Sequence, residues 1–218
     1  MSPKNTELKF LIIFLFLIFA PLVSCTNSQP VISYGFIQLV LYQGETGVQE
    51  HFSFFVLAED NDGLENLDEL YLYSDREQLR WKITSEDWLH HTQDGKNWIG
   101  SKSIAVQNGS LPRGVYRAVL VNKGGQSAER SFIYDGVTRF AFPVITVTEG
   151  EYNINSQWPV NRFVTYDSAG NYISTVTLSS LSGRFSDLYL PSSVRTAALW
   201  AEDENNFLSA FTNVVPVN

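Results

Sequence analysis

Apolar and polar positions fall into two regimes along this chain. Phe10 to Val23 (FLIIFLFLIFAPLV) is an almost unbroken apolar run of 14 residues, with Lys4 and Lys9 ahead of it and small residues behind. After Pro30 the pattern changes to short alternating runs separated by turn residues, which is the period of half-buried strands. Strands are expected near Ile32–Tyr42, His51–Ala58, Leu67–Tyr73, Trp98–Val106, Gly114–Asn122 and Ser127–Tyr134. Further along they are expected near Val144–Thr148, Arg162–Tyr166, Tyr172–Leu178, Arg195–Ala201 and Phe207–Val215. Gly44, Asp62-Gly63, Asp94-Gly95, Asn108-Gly109 and Gly124-Gly125 punctuate them, and such pairs suit the positive φ angles of tight hairpins. Past the first apolar run no long segment carries the 3.6-residue period of a helix. Ser85–Leu89, with Ser85 as cap, reads as one helical turn.

The first run is too short for a comfortable bilayer span, which takes about 20 residues at 1.5 Å each, and Pro21 interrupts it. It reads as the core of a secretory signal. Leu22-Val23-Ser24-Cys25 follows directly and resembles the lipobox of bacterial lipoproteins. That resemblance implies cleavage before Cys25, a diacylglyceryl thioether on its sulfur and acylation of the new amino terminus. Cys25 is the single cysteine of the chain, so the body that follows has no disulfide framework. A lone thiol in an oxidising compartment is a liability unless consumed in this way. Two or three acyl chains exceed what stable anchoring requires. Thr26–Pro30 is then a tether, reaching at most roughly 17 Å when extended. Thr26 stands where enterobacterial lipoproteins retained at the inner membrane carry Asp, so the resemblance favours the outer membrane.

A repeat organises the remainder. Leu111-Pro112-Arg-Gly-Val115-Tyr-Arg-Ala118-Val-Leu120 aligns with Leu190-Pro191-Ser-Ser-Val194-Arg-Thr-Ala197-Ala-Leu199, at an offset of 79 residues. A polar turn and a closing strand follow each copy, carrying Phe132 or Phe211. Alternation places Ala118 with Leu120, and Ala197 with Leu199, on one face. The pattern is similar to the last two strands of immunoglobulin-like or fibronectin type III-like modules in bacterial surface proteins. That similarity implies a tyrosine-corner role for Tyr116; the second copy has Arg195 in its place.

The expected fold is therefore all-β: two tandem immunoglobulin-like β-sandwich domains after a cleaved lipoprotein signal peptide. The divisions are 1–24 signal, 25–30 lipidated cysteine and tether, 31–136 first sandwich and 137–218 second. One continuous larger sandwich is the alternative.

Charge narrows the partners. Without residues 1–24 the chain has 194 residues, 13 basic and 22 acidic, for a formal charge of −9. Nucleic acid and anionic lipid surfaces need clustered Lys and Arg, so nucleic acid is not an expected partner.

Catalytic signatures are sparse. His51, His90 and His91 are the three histidines; the adjacent pair faces opposite sides of any strand, and no Gly-x-Ser-x-Gly or zinc spacing accompanies them. In the acidic loop Ala58–Glu69, counting Gly63 as position six of a calcium loop puts Asp60, Asp62 and Glu69 at positions three, five and twelve. Ala58 at position one cannot ligate, so a looser calcium site is set against a plain turn. A similar Asp-x-Asp-Gly-Leu loop in bacterial immunoglobulin-like domains is structural. Of the five Trp, Trp88 and Trp98 are the candidates for a carbohydrate platform, and a two-residue turn at Asp94-Gly95 sets His91 opposite Trp98. The expectation is a non-catalytic, membrane-anchored module that contacts another envelope protein. The alternatives are a carbohydrate-binding lipoprotein, marked by Trp88 and Trp98 exposed on one face, and an envelope hydrolase.

Overall fold

The computed structural model describes residues 28–44, 47–107, 109–136 and 141–217. The chain is all-β, and among the described residues there is no α-helix. In the first half the strands are β1 (Val31–Gly44), β2 (Gly47–Glu59), β3 (Leu67–Ser74), β4 (Leu79–Thr84), β5 (Leu89–Gln93), β6 (Lys96–Ala105), β7 (Gly114–Asn122) and β8 (Ser127–Tyr134). In the second half they are β9 (Val144–Thr148), β10 (Glu151–Asn155), β11 (Val160–Tyr166), β12 (Tyr172–Thr177), β13 (Ser182–Arg184), β14 (Thr196–Asp203), β15 (Leu208–Phe211) and β16 (Val215–Pro216).

Two hydrophobic cores form. The first lies between the sheet β4-β3-β7-β8 and the strands β1, β2 and β6. Phe52, Phe54, Leu39, Leu70, Leu72, Tyr116 and Leu120 fill it, each without solvent exposure. The second lies between β13-β10-β9 and the strands β11 and β14, around Phe163, Ala197, Leu199, Tyr152 and Phe185. Burial of these aromatic and aliphatic side chains is the main driving force for both layers, at roughly 1.5–3 kcal/mol for each large one.

The two sandwiches are not separate beads. One nine-stranded sheet, ordered β12-β11-β14-β15-β1-β2-β6-β5 with β16 beside β14, serves both cores. Its seam is the parallel pairing of β1 with β15, Leu39↔Leu208 through Tyr42↔Phe211, extended by Leu39 N–H donating to the Phe207 carbonyl at 2.9 Å. Small residues make the seam tight, since Ala201 and Ala210 are fully buried against the first core. The chain thus has two cores and one common sheet.

The repeat marks real hairpins. β7–β8 and β14–β15 occupy its two copies, and Ala118, Leu120, Ala197 and Leu199 are all fully buried. Tyr116 Oη donates to the Pro112 carbonyl at 2.7 Å, the expected corner. In the second copy Arg195 makes the tie instead, donating to the Ser192 and Val194 carbonyls at 2.7 and 2.8 Å. The copies differ in what lies beyond them: β8 ends the four-stranded sheet, whereas β15 continues into β1.

Ser85–Leu89 does not become a helix with Ser85 as cap. Thr84 starts a single turn, its carbonyl accepting from the Asp87 and Trp88 N–H groups at 3.0 Å each, and Leu89 already belongs to β5.

Candidate functional site

Cys25, the expected signal segment 1–24 and the expected tether residues Thr26 and Asn27 lie outside the described residues, as does the start of the expected second sandwich at 137–140. Among the described residues no helix is long and apolar enough to cross a membrane.

The acidic loop holds the chain's own backbone. Asp60 Oδ1 accepts from Ser28 Oγ at 3.0 Å and from the Asp62 N–H at 2.8 Å. Its Oδ2 accepts from Asn66 Nδ2 and Asn122 Nδ2 at 3.2 and 3.3 Å. Asp62 Oδ2 takes the Ser28 N–H at 2.9 Å and its Oγ at 3.1 Å, and Asn122 Nδ2 donates to the Ser28 carbonyl at 2.7 Å. Burial alone would raise the Asp60 pKa; the hydrogen bonds from Asp62, Asn122, Ser28 and Asn66 outweigh it and hold the carboxyl below its ordinary range. Glu69 is drawn elsewhere: it lies on β3, pairs with Lys82 and accepts from Tyr71 Oη at 2.5 Å. The three calcium candidates are therefore not brought together. Among the described residues no three His, Asp, Glu or Cys side chains converge as metal ligands. The loop is a clamp on residue 28.

The histidines also separate. His51 meets Tyr42 edge-on with ring centres 4.9 Å apart, and burial lowers its pKa. His90 Nε2 lies 3.2 Å from Asn97 Oδ1.

The tryptophans divide by face. Trp88 packs against the first core, so Trp88 and Trp98 do not share a platform. Trp98 lies on the outer face of the common sheet, opposite His91 as the hairpin spacing predicts. That hairpin is closed by Asp94 and Gly95 with φ of 52° and 70°, the left-handed pair that a two-residue primed turn needs.

Around Trp98 is a patch that the reading of the sequence does not single out. Tyr34 meets Trp98 edge-on at 5.9 Å, Phe36 meets it at 5.7 Å, and Phe36 stacks on Phe55 at 5.9 Å. Tyr34 is 52 % exposed and Leu89 47 %. Register explains the grouping. Tyr34, Leu57, Trp98 and His91 are cross-strand partners in one row, and Phe36, Phe55, Gly100 and Leu89 in the next. Gly100 leaves a gap in the second row because it has no side chain. A Cβ there would stand 2.0 Å from the Phe54 carbonyl oxygen, so the close approach of β6 to β2 requires glycine. The result is an open groove of about 440 Å³ lined by Phe36, Phe55, Leu89, His91, Trp98 and Lys102, among others. The available signal was the alternation of β1 itself: Ile37, Leu39 and Leu41 turn inward, which places Tyr34 and Phe36 on the opposite face.

A larger cleft of about 780 Å³ lies at one end of the second sandwich, beside Tyr189, Arg184 and Arg195. Its cations are already engaged, Arg184 by Glu151 at 2.9 Å and Arg195 by the carbonyls named above.

The chain matches no protein family and no curated protein sequence. Solved structures overlap it at low similarity. Tp47, the 47-kilodalton lipoprotein of Treponema pallidum, is 13 % identical over 88 % of this chain and 52 % of its own length, with a TM-score of 0.42. Dimeric latent PorU from Porphyromonas gingivalis is 12 % identical over 87 % of this chain and 20 % of its own, with a TM-score of 0.34. Murine CEACAM1b is 11 % identical over 85 % of this chain and 99 % of its own, with a TM-score of 0.26. This chain therefore spans about half of Tp47 and a fifth of PorU. Overlaps this loose assign neither a family nor an activity.

Proposed function

We propose that this protein is a lipid-anchored, non-catalytic interaction module of the bacterial cell envelope, favouring the outer membrane, and that it contacts another envelope protein. Residues 1–24 act as the signal and Cys25 carries the lipid. Residues 31–136 and 137–218 form the two sandwiches.

The observation that carries the contact reading is the aromatic patch on the outer face of the common sheet. Tyr34, Phe36, Phe55 and Trp98 are not needed on that face to fill either core, and they leave apolar surface beside a groove. Aromatic clusters of this kind are the usual anchors of protein interfaces. No carboxylate lines the groove, and Trp88 is turned to the core. The second point favours a protein partner over a saccharide, since the two tryptophans do not form one stacking platform.

Two measurements test the reading. Cys25→Ala moves the protein from the membrane fraction to the soluble fraction; an unlipidated variant that stayed membrane-bound would refute the anchor. A photo-crosslinking residue at Tyr34 forms one discrete protein adduct in the native envelope, and the same residue at Ile133, 74 % exposed on β8, does not. Adducts of equal yield at both places, or glycan alone at Tyr34, would sink the interaction reading.

A further inference from the structure

We infer that the partner binds by adding an extended segment of alternating apolar and acidic residues to the free edge of β5, which rests on the contact reading above. β5 ends the nine-stranded sheet and pairs with β6 alone. In a two-residue hairpin the residues flanking the turn form a hydrogen-bonded pair, and alternate pairs follow. Gln93, His91 and Leu89 therefore direct their N–H and C=O groups to Lys96, Trp98 and Gly100. The N–H and C=O groups of His90 and Thr92 point the other way, off the sheet. All five residues of β5 are exposed.

Proteins usually blunt such an edge with charge, proline or a bulge. β5 has the sequence Leu-His-His-Thr-Gln, with no Lys, Asp, Glu or Pro, and it pairs with β6 without a register break. An open edge next to an apolar groove is the arrangement used for strand addition, where backbone bonds supply affinity and side-chain pockets supply selectivity. Side chains of the added strand on the outer face lie next to Leu89, His91 and Gln93. A bulky apolar one there reaches over Leu89 toward Phe36 and Phe55.

Charge selects the occupant. The chain carries a formal charge of −8, yet Lys102 lines the groove without any acid among its lining residues. Lys96 stands opposite Gln93. The acids adjoining β5 in sequence, Glu86, Asp87 and Asp94, lie in the turns at its two ends, and Asp87 is held by Thr84 Oγ1 at 2.6 Å. A second copy of this chain would bring the same two lysines to the same edge. A strand with Asp or Glu between apolar residues is complementary instead.

The test uses the detergent-solubilised full-length protein and two capped eight-residue peptides, one alternating Phe or Ile with Glu and one with Lys replacing every Glu. The acidic peptide is expected to slow amide hydrogen exchange at His90 and Thr92 at least tenfold, and to bind at least tenfold tighter than the basic one. Thr92→Pro, which removes an outward N–H while leaving the β6 ladder intact, abolishes that binding with the circular dichroism unchanged. Lys102→Glu reverses the preference between the peptides. Binding without protection at His90 and Thr92 would overturn strand addition. So would equal binding of both peptides, or none of either. If neither peptide binds but the Tyr34 crosslink still forms, strand addition fails while the contact reading stands. If the crosslink is absent too, both fail.

Discussion

Asp60 shows how a residue's role depends on what the fold brings to it. Its two carboxylate oxygens accept from Ser28, Asn66, Asn122 and the Asp62 backbone, and Asp62 adds two bonds to Ser28. The chain is thus pinned at Ser28, three residues before β1 begins at Val31. Asp60→Ala leaves these donors without their acceptor and is expected to cost about 1–2 kcal/mol, read from chemical denaturation. The pH dependence has a definite sign. A carboxyl whose folded pKa is depressed stabilises the fold above its unfolded pKa, and that stability is lost as pH falls through the folded value. The gap between wild type and Asp60→Ala should therefore be widest near neutral pH and close below the ordinary aspartate range. A gap that widened in acid would contradict the clamp.

At the scale of elements, strand positions followed from alternation where one face is buried and the other solvated. β7, β8 and β9 begin and end where the pattern of apolar residues and turns places them. β4, β10 and β13 had no strand assigned from the sequence: β13 is three exposed residues, and the alternation of β4 (Leu79, Trp81, Ile83) and β10 (Tyr152, Ile154) rests on only three and two apolar positions, while β5 showed only through its Asp94-Gly95 turn. β5 is the telling case. Its sequence has no buried position, and its pairing is imposed by the Asp94-Gly95 turn and by β6. Gly100 links this hairpin to the rest of the sheet. Gly100→Ala would drive a methyl against the Phe54 carbonyl and is expected to cost about 1–3 kcal/mol, the usual range for overpacking. Thermal unfolding measures the loss. A variant as stable as wild type would show that β2 and β6 can part there freely.

For the whole molecule, the shared sheet is the feature with mechanical consequence. Because β1 belongs to the first core and pairs with β15 along the seam, neither sandwich can open without exposing backbone groups of the other. Calorimetry of the lipid-free protein is expected to show one transition with equal calorimetric and van't Hoff enthalpies. Leu208→Asp, which places a charge at the seam beside Leu39, should lower the midpoint and split the transition in two. Two resolved transitions in the wild type would mean that the sandwiches are energetically independent. The direction of β1 also orders the molecule. Ser28 just before it, the Tyr34–Phe36 patch and the Leu39–Tyr42 seam succeed one another along the chain, and at about 3.3 Å per residue the seam starts at most about 36 Å beyond the clamp.

The sequence by itself determined the all-β class, most strand positions, the repeated Leu-Pro hairpin, and the pairing of His91 with Trp98. Each of these depends on short-range rules: two-residue alternation, turn chemistry and the length of a hairpin loop. It also carried the lipobox reading of Cys25, which involves only neighbouring residues. Tertiary structure decided that two cores share one sheet, that Asp60 and Asp62 grip Ser28 while Glu69 turns to Lys82, and that Trp88 and Trp98 part to different faces. It also decided that Tyr34, Phe36, Phe55 and Trp98 meet. Those outcomes depend on which strands become neighbours and in what register. That choice is made by the burial of whole faces, which no local pattern records.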